Sequence, residues 1–424
     1  MPEFLTLLPP DQARELLLSH LPQPTIDSES IDVSSSLGRI LAEDIIAPHP
    51  LPEFQRTTVD GYAVRARDTF GASDSLPAYL TLVGEVPMGD APKVELFEGG
   101  QCALIHTGGM LPNGADAVVM LEYTQQTSEV FKDLGGLPGE IEIFRAVAEG
   151  ENIIRIGEDV AQGQNILPKG TLIRPAEIGG LLALGFTSVK VAKKIRVGLI
   201  STGDEVIDPD QSPKPGQVRD INSYTLGALV EKSGGVAHRY GIIGDQLEAL
   251  KEAAAKALSE CDVVIITAGS SASTRDMTAD VIRSLGEPGV LVHGINTRPG
   301  KPTIFGVCNG RAVIGLPGNP VSALVNGYLF VMPVIEKLLG AVPKPKATVL
   351  AKLTVNLPSQ AGREDWIPVR LIANRQSSIV NYDADPIFGK SNLIFTLASA
   401  DGLLRIHPDA TGLSAGEIVE VILI

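Results

Sequence analysis

Residues 195–340 alternate between short apolar runs and helix-forming stretches, and this alternation constrains the fold more than any other feature of the sequence. Each apolar run has the length and continuous apolar character of a strand that is buried on both faces. Strands that alternate with helices pair in parallel, and ligands bind at the carboxyl ends of such strands. We therefore predict an α/β domain here. Its strands are expected at 195–200, 262–266 and 289–292, and its helices at 222–231 and 245–258.

Local chemistry marks the start of two helices in this region. Asp245 is followed three residues later by Glu248, which is the pattern of a capping box. Asn319 precedes Pro320, and this pair supplies a good N-cap and the residue favoured at the first helical position. We expect a long helix after Asn319. A capping role alone would account for Asp245.

The segments on either side of the α/β region have a different character. Residues 51–150 and 345–424 contain short β-forming runs between Gly- and Pro-rich turns, which predict a small β domain and a C-terminal barrel-like module. Residues 1–50 and 151–194 contain connections and short helices. These helices are expected at 11–18, 36–43 and 175–184. The length of 424 residues by itself suggests about three domains.

The acidic composition argues against several classes of function. The formal net charge is -15, and such a chain is a poor general binder of nucleic acid, because neutralising phosphates requires clustered Lys and Arg. No apolar run approaches ~18 residues, so we expect no membrane span. The N-terminus lacks the basic start of a secretory signal. Cys102, Cys261 and Cys308 are odd in number and widely spaced, which favours free thiols in the reducing cytoplasm.

Glycine- and hydroxyl-rich turns follow two of the predicted strands. Thr202 and Gly203 come at the end of the first strand, and Gly269 and Ser271 come after the second. Backbone N–H groups and hydroxyls in such turns hold a phosphate when they open a helix. The same residue types also form ordinary strand-to-helix turns without a ligand. Two such turns at one edge of a sheet favour a binding site over that alternative.

A basic turn and a rigid turn follow in the same region. Arg298 and Lys301 are braced by neighbouring Pro and Gly residues, which suits them to an oxyanion, although an exposed basic turn is the simpler interpretation. Pro317, Gly318 and Asn319 form a strand-to-helix turn that needs no ligand to be stable.

Five carboxylates lie in turn settings along the chain. A set of carboxylates beside a phosphate pocket is typical of a site for a hard cation such as Mg²⁺, which takes oxygen ligands and bridges phosphates. Spacing in the sequence does not show whether the five converge. They are Asp60, Asp159, Glu205, Asp245 and Asp276.

Taken in order along the chain, these segments resemble the molybdopterin molybdenumtransferase family of molybdenum cofactor biosynthesis, which includes the C-terminal part of gephyrin. The resemblance covers essentially the whole chain, and its motifs are highly specific as an ordered set. The motifs are Asp60-Gly61-Tyr62-Ala63, Thr107-Gly108, Ala115-Asp116-Ala117-Val118-Val119-Met120, Gly157-Glu158-Asp159, Ser201-Thr202-Gly203-Asp204-Glu205, Pro299-Gly300-Lys301-Pro302 and Leu316-Pro317-Gly318-Asn319-Pro320-Val321-Ser322.

The resemblance implies a multidomain fold with α/β and β parts, assembled as an elongated homodimer. It implies four domains, of which the first is interrupted in sequence by the second. The expected ranges are 1–50 plus 151–194 for the elongated N-terminal domain, 51–150 for the inserted β domain, 195–340 for an α/β molybdopterin-binding domain with a mostly parallel sheet, and 345–424 for a β-barrel.

The resemblance also implies an activity. Members of the family insert molybdate into adenylylated molybdopterin, use Mg²⁺, and release AMP and the finished cofactor, for hand-over to molybdoenzymes or other cofactor-synthesis proteins. Glu205, Asp245 and Asp276 would then lie near the metal and the phosphates. Asp60 and Asp159 would complete the catalytic set from the partner subunit, because the family's active site lies between subunits.

The substrate-binding residues implied by the resemblance lie in the pocket loops. Arg298 and Lys301, together with Arg363 and Ser391, would hold molybdate, since an oxyanion needs cations and polar donors in a dry site. The dithiolene sulfurs of the pterin supply the molybdenum ligands, so protein cysteine is not required. The other implied substrate-binding residues are Thr107, Thr202, Gly203, Gly269, Ser271, Pro317, Gly318 and Asn319.

One turn departs from the family's usual pattern. Most members have Gly-Gly-Val-Ser-x-Gly before the aspartate, whereas residues 268–273 here are Ala-Gly-Ser-Ser-Ala-Ser. Two glycines that would let the backbone approach a phosphate closely are missing. Three alternatives therefore stay open: a molybdopterin carrier without catalysis, a tungstate-inserting variant, and a hydrolase of nucleotide pyrophosphates that shares the α/β domain.

We expect Glu205→Ala and Asp276→Ala each to abolish molybdate-dependent AMP release and to leave the fold intact, because both carboxylates are assigned to the site and not to a core. AMP release by the purified variants and their circular dichroism measure the two expectations. An Asp276→Ala protein that released AMP at the wild-type rate would show that this residue is wrongly assigned.

Overall fold

The computed structural model describes residues 7–23, 27–127, 139–268, 272–374 and 380–424. The chain forms two units. Unit 1 consists of Met1–Glu43, Lys169–Ile178 and Ser188–Ile424, and unit 2 consists of Asp44–Pro168 and Gly179–Thr187. Unit 2 is therefore inserted into the sequence of unit 1.

Unit 2 is built on a six-stranded sheet, as the β-forming runs of this region predict. The strands are β1 (Gly61–Val64), β2 (Ala78–Glu85), β3 (Gln101–Ile105), β4 (Ala117–Met120), β5 (Thr124–Gln126) and β6 (Glu140–Ile143), in the sheet order β4-β1-β3-β2-β6-β5. Successive side chains of a strand point to opposite faces. Tyr62 and Val64 lie in one apolar cluster and Ala63 in another, so both faces of β1 are covered. Apolar packing on both faces therefore stabilises the sheet from which the loops extend.

Unit 1 contains the predicted α/β domain. Its strands are β7 (Ile195–Thr202), β8 (Gly235–Ile243), β9 (Val263–Ala268), β10 (Pro288–His293), β11 (Ile304–Cys308) and β12 (Arg311–Pro317), in the order β8-β7-β9-β12-β11-β10. β8, β7, β9 and β12 pair in parallel, while β11 is antiparallel to both of its neighbours. The mostly parallel sheet is therefore confirmed. β7, β8, β9, β10 and β12 all end at the same edge.

β11 and β12 form a hairpin that the sequence analysis did not identify. The two residues between them, Asn309 and Gly310, have φ of 53° and 80°. Positive φ at both positions of a two-residue loop, with Asn followed by Gly, is the signature of a type I′ turn.

Three helices connect the strands of the sheet, at Asn222–Lys232, Leu247–Glu260 and Ala272–Ser284. The second of these buries Leu250, Ala254, Ala257 and Leu258, which is the apolar face expected from their spacing.

The long helix predicted after Asn319 is present and belongs to the core. It runs from Pro320 to Leu338 with Asn319 at the N-cap position, and a π-helical segment, Gly327–Val331, lies in its middle. Among the described residues this is the one helix that is long and apolar enough to cross a membrane, but 61% of its apolar window is buried in the structure. Its Phe330 ring packs on Phe305 of β11 with 4.7 Å between ring centroids. These contacts are those of a core helix.

The C-terminal part of unit 1 is a closed five-stranded barrel, as the sequence predicts. Its strands are β13 (Thr348–Leu353), β14 (Glu364–Ala373), β15 (Tyr382–Pro386), β16 (Gly402–Ile406) and β17 (Ile418–Leu423). They pair in the order β14-β15-β13-β17-β16, and β16 closes the ring on β14. The two-residue strand Thr297–Arg298 also pairs with β14. Backbone hydrogen bonds therefore join the α/β domain to the barrel.

Residues 36–43 do not form the helix that the sequence analysis predicted, although helices are present at Pro10–His20 and Pro175–Ala183. Ile40 and Leu41 instead form bridges to Leu172 and Val191, and both side chains are buried. Adjacent residues of a helix would not both pair with extended chains on either side. The apolar residues of this segment are therefore buried by strand-like pairing and not by one face of a helix.

The capping box predicted at Asp245 is also wrong. The helix begins at Leu247 with Gln246 at its N-cap position, and no side chain caps it. The backbone N–H of Asp245 donates instead to Asp204 Oδ1 at 3.1 Å. The Asp245 carboxylate is therefore not used for capping.

A buried ionic network ties the N-terminal helix to the barrel. Glu364, which is 2% exposed, accepts hydrogen bonds from Trp366 Nε1 at 2.7 Å and from Arg405 Nε at 2.9 Å. Arg405 also donates to Asp11 Oδ2 at 2.9 Å, on the helix Pro10–His20. A buried carboxylate is tolerated only when it is paired.

We expect Arg405→Ala to lower the free energy of unfolding of unit 1 by about 3–5 kcal/mol, because it leaves the buried Glu364 charge without its partner. Denaturant unfolding followed by tryptophan fluorescence measures this, since Trp366 is the single tryptophan. Arg370→Ala, at an exposed position of β14, is the matched control and should change the free energy by no more than about 0.5 kcal/mol. An equally small effect at Arg405 would contradict the assigned network.

Candidate functional site

The turn after β7 is shaped by Thr202 and Gly203. Thr202 is 4% exposed, and its Oγ1 donates to the backbone oxygen of Thr267 in β9 at 3.1 Å. Gly203 has φ of 134°, and a Cβ there would lie 2.7 Å from Glu205 Oε2. The Thr202 hydroxyl therefore joins two strand ends, and the glycine leaves room for the Glu205 carboxylate beside the turn.

Three carboxylates gather where β7 and β8 end. Asp204 Oδ1 accepts the Asp245 backbone N–H, which joins the two turns. Burial, and then the charges of Asp204 and Glu205, raise the pKa of the Asp245 carboxyl. The structure thus brings together Glu205 and Asp245, as the sequence analysis expected, and adds Asp204. Asp204 lies inside the motif that carried the resemblance, but it was not selected as a site residue.

A buried polar group lies behind this edge and was missed by the sequence analysis. Asp220, which is 6% exposed, accepts hydrogen bonds from Ser201 Oγ at 2.8 Å and Ser223 Oγ at 2.6 Å. Asn222 donates through Nδ2 to the Gly318 backbone oxygen at 2.8 Å. The Asn222 Oδ1 atom is buried and has no hydrogen-bond partner in the described part of the chain. The available signal was an Asp placed three residues before a Ser at the start of a predicted helix.

Three of the expected site residues cannot be placed at the level of side chains. Gly269 and Ser271 lie outside the described residues. Asp276 lies on the helix Ala272–Ser284, which follows β9, and its side chain is likewise outside the description. Among the side chains that are described, no group of three or more His, Cys, Asp or Glu is arranged to hold a metal ion.

A cavity of about 930 Å³ in unit 1 gathers six of the expected substrate-binding residues. Its walls come from the loop after β10, the start of the helix Pro320–Leu338, and the loops around β14 and β15. The volume is that of a ligand pocket. The six residues are Arg298, Lys301, Pro317, Asn319, Arg363 and Ser391.

Arg363 is oriented in this cavity by a buried partner. Its Nε donates to Asp365 Oδ1 at 2.7 Å and its Nη2 to Asp365 Oδ2 at 3.0 Å. Asp365 is 2% exposed and also accepts Ser359 Oγ at 3.0 Å. The hydrogen bonds to Asp365 raise the pKa of the Arg363 guanidinium. A planar guanidinium that is hydrogen-bonded along one edge presents its remaining N–H groups in a fixed direction.

The basic turn is anchored by a fully buried amide. Asn326 Nδ2 donates to the Gly300 backbone oxygen at 3.1 Å and lies 2.5 Å from Thr303 Oγ1. Gly300 has φ of 99°, and a Cβ at this position would collide with Asn326. The turn that carries Arg298 and Lys301 is therefore held against the long helix by its own backbone.

The opposite wall of the cavity is attached to the start of the same helix. The Ser391 backbone oxygen accepts the N–H of Val321 at 3.0 Å. Asn319 occupies the N-cap position and lines the cavity, while Gly318 uses its carbonyl to bind Asn222. The loop with Ser391 is thus tied to the carboxyl edge of the sheet.

In unit 2, Asp60 and Thr107 form a preordered pair. Asp60 Oδ1 accepts the Thr107 backbone N–H at 2.7 Å and Thr107 Oγ1 at 3.0 Å. The backbone hydrogen bond from Thr107, followed by its hydroxyl, lowers the pKa of the Asp60 carboxyl. Both residues are exposed. They offer an ionised carboxylate at the surface of unit 2.

Asp159 lies in a separate turn of unit 2. Its backbone N–H donates to the Leu51 backbone oxygen at 3.0 Å. Gly157, two residues before Asp159, has φ of 71°. The side chain is exposed. Asp159 and Asp60 lie in different turns of unit 2, and in the described part of the chain no hydrogen-bonding side chain bridges the two carboxylates.

Three family models match this chain and together span most of it. The model described as "MoeA N-terminal region (domain I and II)" matches residues 8–185. The model described as "Probable molybdopterin binding domain" matches residues 198–337. The model described as "MoeA C-terminal region (domain IV)" matches residues 350–424.

Whole-length relatives agree with these models. The chain is 33% identical to the molybdopterin molybdenumtransferase of Haemophilus influenzae, over 97% of this chain and 97% of the relative. It is 32% identical to that of Bacillus subtilis, over 94% of this chain and 90% of the relative. Among solved structures, the molybdopterin biosynthesis MoeA protein of Pyrococcus horikoshii is similar with a TM-score of 0.84 and 34% identity, over 99% of this chain and 100% of that one.

We expect Lys301→Met to weaken binding of molybdate about 10- to 100-fold, because one charge-assisted hydrogen bond contributes roughly 1.5–3 kcal/mol. Isothermal titration calorimetry with sodium molybdate at fixed ionic strength measures the affinity. Lys344→Met is the charge-matched control, since Lys344 is exposed and does not line the cavity. Equal losses in the two variants would show that net charge, and not the cavity, determines the affinity.

Proposed function

This chain belongs to the MoeA family and is a molybdopterin molybdenumtransferase, and we propose that it inserts molybdate into adenylylated molybdopterin with release of AMP. The AMP-releasing reaction is supported by the site geometry in unit 1 and by the resemblance of the motifs.

The observation that carries the proposal is the charge of the cavity. Its lining has four cations, which are Arg298, Lys301, Arg363 and Lys390. The lining contains one carboxylate, Asp365, and this group is already paired with Arg363. An excess of fixed cations in a concave site suits a small dianion such as molybdate. The net charge of the whole chain is -15, so this excess of cations is local to the cavity.

We assign the phosphate end of the substrate to the sheet edge beside the cavity. We propose Mg²⁺ as the cofactor here, held by Glu205, Asp245 and Asp276, because an oxygen-only donor set is what a hard cation prefers. Burial, and then the charges of Asp204 and Glu205, raise the pKa of the Asp245 carboxyl, and a cation bound there would offset both effects. Bound Mg²⁺ supplies neutralisation of phosphate charge. Asp204 keeps the two turns together and so fixes the spacing of the acids.

The proposed functional form is a homodimer whose active sites lie between subunits. Asp60, Thr107 and Asp159 of one subunit would complete the site of the other. In support, Asp60 is exposed, and the hydrogen bonds from Thr107 hold its carboxylate and lower its pKa, so that an ionised group is available at the surface of unit 2. We further propose that the protein acts in the cytoplasm and hands the finished cofactor to molybdoenzymes or other cofactor-synthesis proteins.

Two other functions make different demands on the same site. A molybdopterin carrier would bind the substrate and release no AMP. A nucleotide pyrophosphate hydrolase would release AMP without molybdate. A cationic cavity suits phosphates as well as molybdate, so the requirement for the oxyanion is what separates these functions.

We expect purified protein supplied with adenylylated molybdopterin and Mg²⁺ to release AMP when molybdate is added. Omitting molybdate should reduce the rate at least tenfold, because the oxyanion is a reactant. Chelation of Mg²⁺ with EDTA should have a similarly large effect. Chromatographic measurement of AMP over time checks all three conditions.

The same assay separates the alternatives. A tungstate-inserting variant would release AMP faster with tungstate than with molybdate. Equal AMP release with and without oxyanion would identify a hydrolase. Tight binding of the substrate with no AMP under any condition would identify a carrier.

A further inference from the structure

The exposed carboxylate of Asp60 has a neighbour that neither the motifs nor the proposed reaction assigns. His106 lies between the end of β3 and Thr107. Its Nδ1 is 3.9 Å from Asp60 Oδ1, and its Nε2 is 2.8 Å from Glu85 Oε1, at the end of β2. The imidazole is therefore placed between two carboxylates that come from different parts of the unit 2 sheet.

The contact with Glu85 determines which nitrogen of His106 can change its charge. A carboxylate accepts a hydrogen bond, so the nitrogen that faces Glu85 carries the proton in the neutral ring. Nδ1 is then the nitrogen that gains a proton, and it is the one that faces Asp60. In the neutral ring a lone pair points towards the Asp60 carboxylate, and in the charged ring an N–H group does. Protonation thus converts a repulsive contact into an attractive one.

Thr107 and His106 act on Asp60 in different ways. Thr107 fixes Oδ1 with two hydrogen bonds whose strength does not depend on the charge of a neighbour. The charge of His106 also lowers the pKa of Asp60, after the larger contribution of Thr107. The charged groups that face the imidazole are Glu85 and Asp60. In the described part of the chain, neither of these carboxylates has another ion-pair partner.

We propose that His106 is a positioning residue of the active site, which Glu85 orients and whose positive charge holds the Asp60 carboxylate in place against Thr107. The inference rests on the proposed function, because there Asp60 belongs to the catalytic set. It follows that insertion is faster when His106 is protonated. The rate therefore falls from low to high pH.

The first test compares pH profiles of molybdate-dependent AMP release between pH 5.5 and 8.5 for the wild type and two variants. His106→Gln keeps an amide donor for Glu85 but carries no charge at any pH. His106→Lys keeps a positive charge throughout this range. His407→Gln removes an exposed histidine that likewise pairs with a carboxylate, Asp409, and serves as the control.

The expected step is about 1.5- to 5-fold in kcat/KM, which corresponds to the roughly 0.2–1 kcal/mol of an exposed ion pair. The wild type and His407→Gln should both lose this factor from low to high pH. His106→Gln should be flat at the high-pH level of the wild type, and His106→Lys flat at its low-pH level. A His106→Gln profile with the wild-type step would overturn the proposal.

A second measurement does not depend on activity. Carbon-13 NMR of the aspartate carboxyl carbons, with the Asp60 signal assigned from Asp60→Asn, follows the ionisation of Asp60 directly. Its pKa should rise in His106→Gln and stay unchanged in His407→Gln. An unchanged Asp60 pKa in His106→Gln would overturn the proposal even in an active enzyme. If the wild type releases no AMP and the Asp60 pKa still rises in His106→Gln, only the proposed function is refuted.

Discussion

The arrangement of the candidate site depends on a short stretch of backbone pairing between the α/β domain and the barrel. Thr297–Arg298 pairs in parallel with Glu364 and Asp365 at the start of β14. The Thr297 hydroxyl, on a side chain that is 2% exposed, also donates to the Glu364 backbone oxygen at 3.1 Å. This short contact places the basic turn of the α/β domain beside the barrel residue Arg363. The cations on the two sides of the cavity are kept together by it, although like charges repel.

The alternation of side chains along β14 gives the same strand two separate tasks. Glu364 and Asp365 are neighbours in sequence, so their side chains leave the strand on opposite sides. Glu364 turns to Arg405 and through it reaches the N-terminal helix. Asp365 turns to the cavity and orients Arg363. Both carboxylates are buried, and each is stable because an arginine is committed to it. Stability of the barrel and orientation of the cavity-lining Arg363 therefore come from adjacent positions.

Much of the α/β domain could be predicted from the sequence because buried parallel strands are continuous apolar runs, and β7 and β9 are of this kind. The hairpin of β11 and β12 was missed although its Asn309-Gly310 turn is a strong local signal. The helix predicted at residues 36–43 was wrong for a different reason. Their apolar residues are buried by chain segments that are more than a hundred residues away in sequence, and a local pattern does not report such partners.

The candidate site shows the same division. Arg298 and Lys301 were found because a basic turn between prolines is visible in the sequence, but Arg363 and Ser391 were placed only by resemblance, since they come from another domain. Asp204 was passed over beside Glu205, and the interaction of His106 with Glu85 depends on the pairing of β2 with β3. Side chains that act through long-range pairing are the ones that sequence reasoning misses.

The spacing of the parallel strands is compatible with the proposed ligand, which carries negative charge at two points, although the chain has a net charge of -15. Pro317, the last residue of β12, lines the cationic cavity, and Thr202, the last residue of β7, precedes the acidic turn. β9 lies between them. With neighbouring strands about 4.8 Å apart, the two ends of this edge are separated by roughly 10 Å. That is about one Debye length at physiological salt, so the acids weaken the attraction of the cavity for an oxyanion only partly. The cationic end can bind an anion directly, whereas the acidic end repels phosphate until a cation joins its carboxylates. The proposed dependence on a divalent cation would thus follow from where the two charge clusters lie on one sheet.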